Sequence, residues 1–219
     1  QASTRTGRYV AQPTGYRAFV PKPLPPDPPL ALDGEMLELL SEAERAVGRL
    51  DGATEALPNP DLFVMMFIRK EAVLSSQIEG TQASLADLLE VESRVFDPVA
   101  PSDVGEVVNY VQALNYGIER LQTLPLSLRL LCEIHEKLML GTRGQDRNPG
   151  EFRRSQNWIG PAGCTLKTAR FVPPSPDDMK RALGEWEIFL HDERPMPLLL
   201  KVGLAHAQFE TIHPFLDGN

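Results

Sequence analysis

Apolar residues recur every three to four positions along most of the chain beyond residue 33, and that period restricts it to a mainly α fold. Met36, Leu39, Leu40, Ala43, Ala46, Val47 and Leu50 follow Asp33, a residue type that caps helix N-termini. A second helix, capped by Asp61, runs through Phe63-Val64-Met65-Met66-Phe67-Ile68 to about Ile78, and its apolar start on all sides predicts burial. Gly80 is its natural stop. Leu85, Leu88 and Leu89 open a third helix. Val104, Val107, Val108, Val111, Leu114 and Ile118 mark a fourth, and Leu128, Leu131, Cys132, His135 and Leu138 a fifth. Ser175-Pro176 is a helix entry, with Met179, Leu183, Trp186 and Leu190 on the inner face. A last helix is expected from about Leu198 to Thr211.

Two segments break the rhythm. In Pro21-Lys22-Pro23-Leu24-Pro25-Pro26-Asp27-Pro28-Pro29 six of nine residues are proline. Proline fixes φ and lacks a backbone N–H, so this stretch is neither helix nor central strand. Residues 1–32 read as an extended polyproline II arm lying on the domain; the alternative is a ligand for a proline-reading domain. Residues 142–174 are rich in Gly, Pro, Arg, Asn and Thr, with no helical period. Asn157-Trp158-Ile159 and Ala169-Arg170-Phe171-Val172 are expected as two short strands around Pro161-Ala162-Gly163. Loops of this length are often functional. The chain therefore divides into the Pro-rich arm (1–32), an N-terminal helical region (33–100) and a helical domain with a protruding β-hairpin (101–219).

Charge and cysteine content narrow the functional classes. Thirty acidic residues against 22 basic ones give a net charge of −8, which disfavours nucleic acid as the main partner. A single small-nucleotide site needs only a few local donors and stays open. No apolar run is long enough to span a membrane, and Gln1-Ala2-Ser3-Thr4-Arg5 leads into no signal-like stretch. Two distant cysteines, Cys132 and Cys164, do not make a disulfide framework, so a reducing cytoplasm is the expected compartment.

Chemistry concentrates where the last helix ends. Pro214 pushes His213 out of the helical region, and Phe215-Leu216-Asp217-Gly218-Asn219 follows. A Gly-Asn pair entering a helix exposes backbone N–H groups to a phosphate. Asp217 is a candidate ligand for Mg²⁺, which favours a carboxylate together with phosphate oxygens. A histidine titrates near neutrality and can take a proton from a nucleophile. Taken alone, His-Pro and Asp-Gly-Asn are also ordinary turn signals. The other histidines read as structural: His135 as a hydrogen-bonded core residue, His206 as packing beneath the loop with Phe209, and His191 as part of a charged loop. No Cys/His/Asp cluster has zinc spacing.

His213-Pro214-Phe215-x-Asp217-Gly218-Asn219 resembles the first seven residues of the Fic signature, which continues Gly-Arg-x-x-Arg. Pro149-Gly150-Glu151-Phe152-Arg153, Gln156-Asn157-Trp158-Ile159-Gly160 and Phe171-Val172-Pro173-Pro174 resemble the region of the family's substrate-gripping hairpin, the flap. Ser75-Ser76-Gln77-Ile78-Glu79-Gly80 is similar to the family's inhibitory motif, Ser/Thr-x-x-x-Glu-Gly/Asn. The resemblance covers the chain from roughly residue 10 onward. It implies a Fic-type helical domain with a hairpin flap, and transfer of AMP from ATP to a Ser, Thr or Tyr hydroxyl of a target protein or of the enzyme itself, with release of pyrophosphate. His213 would be the general base and Asp217 the Mg²⁺ ligand, while the backbone N–H groups of Gly218 and Asn219 begin the anion hole. The hairpin around Gly163, Thr165 and Leu166 would pair with the target's backbone. Glu79, with Ser75 one turn earlier and Gly80 next to it, would reach the nucleotide site and hold the γ-phosphate out of line.

The signature stops at Asn219, so the sequence reads as part of a longer protein, and the 219 residues alone are expected to be a poor enzyme. Two classes of alternative remain. One is other nucleotidyl or phosphoryl transfer, or removal of AMP, on the same scaffold. The other is a regulatory binding module with a vestigial nucleotide site.

Overall fold

The structure, a computed structural model, describes residues 5–78, 82–93, 102–142, 144–161 and 163–219. Two strands, β1 (Gly7–Ala11) and β2 (Arg17–Pro21), precede seven helices: α1 (Gly34–Glu55), α2 (Pro60–Ile78), α3 (Leu85–Ser93), α4 (Ser102–Arg120), α5 (Leu128–Leu138), α6 (Pro176–Leu190) and α7 (Leu198–Ile212). The mainly α expectation holds. The chain divides into two compact units, one of residues 1–46, 152–217 and 219, the other of residues 47–151 and 218. Among the described residues no helix is long and apolar enough to cross a membrane.

In the first unit the arm holds an antiparallel hairpin that the proline reading passed over. Gly7 pairs with Pro21, Tyr9 with Phe19 and Ala11 with Arg17. The Gln12 and Gly15 amides close the turn on the carbonyls of Tyr16 and Gln12, each at 2.9 Å, and Gly15 takes φ 85°, a conformation suited to glycine. The segment without β pairing begins only after Lys22, whose amide donates to the Thr6 carbonyl at 3.0 Å, and it is not the extended polyproline II run expected, because the chain bends at Leu24-Pro25 and again at Asp27-Pro28. β2 packs on α6 and α7, and Phe19 places its ring 5.9 Å from that of Phe171.

Ser175 starts α6 as expected: its Oγ accepts the Asp178 amide at 3.3 Å, with Pro176 in the first turn. Met179, Leu183 and Trp186 are buried, joined by Ala182 and Phe189. The Trp186 indole donates to the Ala205 carbonyl at 2.8 Å and lies 5.4 Å from the Phe209 ring. Phe215 in turn stands 6.5 Å from Phe209 and 5.2 Å from Phe152. This aromatic chain reaches the segment that follows α7 through Phe215, and its two buried rings, Trp186 and Phe215, each add about 1.5–3 kcal/mol of apolar transfer.

The second unit is built on Ala72 and Val73 of α2, Ala83, Leu88 of α3, and Val104, Val107 and Val111 of α4. α4 and α5 meet closely at Gly117, where a Cβ would come within 2.8 Å of Ile134. The burial expected around the whole start of α2 is not found. Val64, Met65, Met66 and Phe67 are 38–53% exposed, because α2 packs on α3 and α4 along one face through Ile68, Ala72 and Val73. α1 forms from its Asp33 cap, whose Oδ1 accepts the Met36 amide at 2.9 Å, and it contains no buried residue.

His135 is a core residue, as expected. It is 2% exposed, and its Nδ1 accepts the Gly150 amide at 2.8 Å. Cys132 is a free thiol whose pKa burial pushes up, with a further push from Glu151. His206 is exposed and does not pack beneath the loop.

Candidate active site

α7 ends because proline cannot continue it. The His213 amide makes the last turn bond, to Phe209 at 2.9 Å, and Pro214 has no N–H to offer. His213 then turns left-handed, at φ 48° and ψ 65°. A residue with a Cβ adopts that conformation only where its surroundings compensate. Here they do. Arg153 is 1% exposed, and its Nε donates to the His213 carbonyl at 3.0 Å. Its own main-chain N–H donates to the Pro214 carbonyl at 2.9 Å. Asn157 Nδ2 donates to the carbonyls of His213 at 3.3 Å and Phe215 at 3.0 Å. A buried cation at the negative end of a helix is favourably placed. Burial pulls the Arg153 guanidinium down to about 10, opposed by Tyr16, which still leaves it charged at neutral pH.

The His213 ring is half-buried, and its partners set its tautomer. Asn219 Oδ1 accepts the Phe215 amide at 2.6 Å and its Nδ2 donates to the Phe215 carbonyl at 3.1 Å, which fixes the orientation of the amide. The same Nδ2 lies 3.2 Å from His213 Nε2. A donor in that place makes Nε2 the acceptor, so the proton sits on Nδ1. Among the described residues, Nδ1 is buried without a hydrogen-bond partner, as is Asn157 Oδ1. Burial, and then the Arg153 charge, hold His213 below its ordinary pKa of 6.5. The outcome is a neutral imidazole with its lone pair on Nε2, a proton acceptor at neutral pH.

Asp217 is exposed, and among the described residues no group of three His, Cys, Asp or Glu side chains converges. One carboxylate fits an ion that completes its shell with phosphate oxygens and water, which is the habit of Mg²⁺. Gly218 takes φ 64° and packs in the second unit, where a Cβ would meet Met139 Sδ at 2.5 Å and His135 Nε2 at 3.4 Å.

The hairpin expected between residues 157 and 172 narrows to one antiparallel bridge, Ile159 with Phe171, whose amides and carbonyls exchange bonds of 2.8 and 3.0 Å. Pro173 and Pro174 have no N–H with which to extend it. Gly163 (φ 81°) and Thr165 are exposed near its tip and Leu166 is partly covered. Trp158 and Ile159 are 42% and 39% exposed. Ser75 lies on α2, where its Oγ donates to Glu71 Oε1 at 2.7 Å. Glu79 and Gly80 lie outside the described residues.

Sequence reasoning gave no role to Arg153 or Asn157. Both stood in the motifs that carried the resemblance, but nothing in a lone arginine's flanking residues foretells that its charge will be buried among carbonyls.

Residues 37–119 match the profile of the Fic/DOC family N-terminal region, and residues 125–219 match that of the Fic/DOC family itself. The chain is 27% identical over 217 residues to the protein adenylyltransferase Fic of Drosophila grimshawi, covering 94% of this chain and 41% of that protein. It is 28% identical over 198 residues to the protein of the same name from Drosophila virilis, covering 86% and 37%. It thus spans about two-fifths of the length of the curated relatives it matches. Among solved structures, a Fic family protein from Desulfovibrio desulfuricans G20 superimposes with a TM-score of 0.66 at 23% identity, over 87% of this chain and 55% of that one. Fic-1 from C. elegans gives 0.56 at 21% identity, over 85% and 56%. With adjoining matches that together take in residues 37–119 and 125–219, this chain belongs to the Fic/DOC family.

Proposed function

We propose that this chain carries the base and the acceptor edge of a protein AMP-transferase. The observation that supports this most is the neutral His213 imidazole, lone pair on Nε2, at a proline-terminated helix end that leads straight into Asp217-Gly218-Asn219. The relatives named protein adenylyltransferase point to ATP as the donor.

An acceptor hydroxyl of Ser, Thr or Tyr takes the place of the Asn219 amide at Nε2. As its oxygen bonds to the α-phosphorus, its proton passes to Nε2 and the bond to the pyrophosphate oxygen breaks. Asp217 would hold Mg²⁺, which would supply charge neutralisation at the phosphates. The backbone N–H groups of Gly218 and Asn219 face the anion. The exposed hairpin edge around Gly163, Thr165 and Leu166 holds the target's backbone, or a segment of the same protein. Glu79 restrains the site, aided by Ser75 of α2, about four residues earlier in sequence.

The test compares ATP labelled at the α- and γ-phosphates, using the full-length protein with Mg²⁺, as wild type and as Glu79→Gly. Label should enter protein from the α-position only, and the variant should label faster by about tenfold, within the usual range of intramolecular regulation. Label from the γ-position would make the protein a kinase. Unchanged labelling in Glu79→Gly would remove Glu79 from the account.

The depressed His213 pKa predicts the pH profile. Protonation of the base is what switches it off, so the acid limb of kcat/KM for AMP transfer should centre below 6.5. A limb centred above 6.5 would assign the base to another group.

A further inference from the structure

Arg153 is the most deeply buried charge among the described residues, and no chemical step above uses it. Its side chain joins three stretches of backbone. Besides the His213 carbonyl, Nη2 reaches those of Pro174 at 2.6 Å and Ile212 at 3.4 Å, while Nη1 donates to that of Ser155 at 3.1 Å. Ser155 and Pro174 are the two roots of the hairpin, and residues 212–214 are the turn that carries the imidazole. Asn157, on the outgoing limb of the hairpin, makes a second span to that turn through the His213 and Phe215 carbonyls. Gln156 ties the roots to each other, its Nε2 donating to the carbonyls of Asn157 and Pro173, each at 3.0 Å.

A hairpin whose described residues form a single backbone bridge has little rigidity of its own. Proton transfer and attack need the reacting atoms held to within about 3–3.5 Å, and displacement of about 1 Å can cost a hundredfold in rate. Something other than the ladder must therefore set the distance from hairpin to base. A planar five-donor fork can bind three carbonyl directions at once, which a lysine ammonium on its flexible stem does not reproduce.

We infer that Arg153, assisted by Asn157, is a positioning residue that clamps the hairpin to the His213 turn, so that the acceptor edge and the base move as one body. The inference rests on reading His213 as the base and the hairpin as the acceptor edge.

Amide hydrogen exchange tests the clamp without relying on any activity. In the full-length protein carrying Arg153→Lys, the amides of Ile159 and Phe171 in the hairpin and of His213 and Phe215 in the turn should exchange faster together. The rise expected is about tenfold to a hundredfold, for the loss of one or two charge-assisted hydrogen bonds. Amides in the body of α6 should keep their wild-type rates. Faster exchange in the turn alone, in the hairpin alone, everywhere equally or nowhere would overturn the clamp. Should Arg153→Lys fail to fold, Asn157→Ala gives the same paired response at smaller size. In AMP-labelling assays of the same variants, kcat should fall while KM for ATP holds, and a rise in KM alone would also count against the clamp. Absence of label in the wild type would tell against the transfer reading, and the paired exchange would still decide the clamp.

Discussion

His213→Ala is expected to lower AMP transfer by about a thousandfold, within the range of 10²- to 10⁴-fold that a positioned general base contributes. ATP binding should change little. The imidazole acts on the acceptor hydroxyl, and the groups proposed at the phosphates are the backbone N–H donors of Gly218 and Asn219 and the Mg²⁺ that Asp217 would hold. The loss should therefore fall on kcat, with KM for ATP close to wild type. Isothermal titration with a non-hydrolysable ATP analogue, beside α-label transfer kinetics, separates the two. Loss of nucleotide affinity in step with activity would show that His213 contacts the phosphates and is not the base. His213→Gln bears on the same point, since it preserves polarity and rough volume without a titratable lone pair.

Arg153→Met should cost about 3 kcal/mol or more of folding stability. Methionine fills much of the volume but leaves the carbonyls of Ser155, Pro174, Ile212 and His213 without this donor. Each buried group left unsatisfied costs about 1–3 kcal/mol. Part of that is offset, because the variant no longer desolvates a guanidinium. Asn157 continues to serve the His213 carbonyl. For a chain of this size the net loss corresponds to a fall in Tm of about 6–12 °C, readable by urea denaturation or calorimetry. A loss below about 1 kcal/mol would mean that the surroundings close over the site and that the carbonyls find other partners.

Much of the fold was legible because helices announce themselves locally. Asp33 and Ser175 cap where their side chains said they would, and the inner face of α6 follows from a 3.6-residue count. The failures share a cause: each depended on contacts distant in sequence. The even apolar coating of the start of α2 read as burial, yet only the side bearing Ala72 and Val73 meets other helices. The strands Gly7–Ala11 and Arg17–Pro21 lay beside so many prolines that the segment read as ladder-free, although Pro13-Thr14-Gly15 between Tyr9-Val10 and Phe19-Val20 is a usable turn signal. The single Ile159–Phe171 bridge shows the reverse error, with two strands expected where flanking prolines permit one pair of bonds.

At the site, the residue types and the spacing of His213, Asp217, Gly218 and Asn219 were visible from the chain alone. That Pro214 would expel His213 from the helix was visible too. The sequence did not convey which tautomer the ring takes, because that follows from the Asn219 amide meeting Phe215 and Nε2 at once. Nor did it convey the depth of Arg153, which depends on backbone drawn from three stretches of the chain.

The partners of the Arg153 side chain are all peptide carbonyls, and this sets how the site responds to its solvent. An arginine held by an aspartate or glutamate loses its counter-charge when acid protonates the carboxylate, and exposed ion pairs weaken as added salt screens them. Carbonyl oxygens neither titrate in the physiological range nor carry net charge. The grip on the α7 terminus should therefore be the same in dilute buffer and in molar salt, and indifferent to acid over the whole span in which carboxylates titrate. Mild acid would then act on the base and leave its mounting intact, so that activity lost on acidification returns at once on neutralisation, with no refolding step in between.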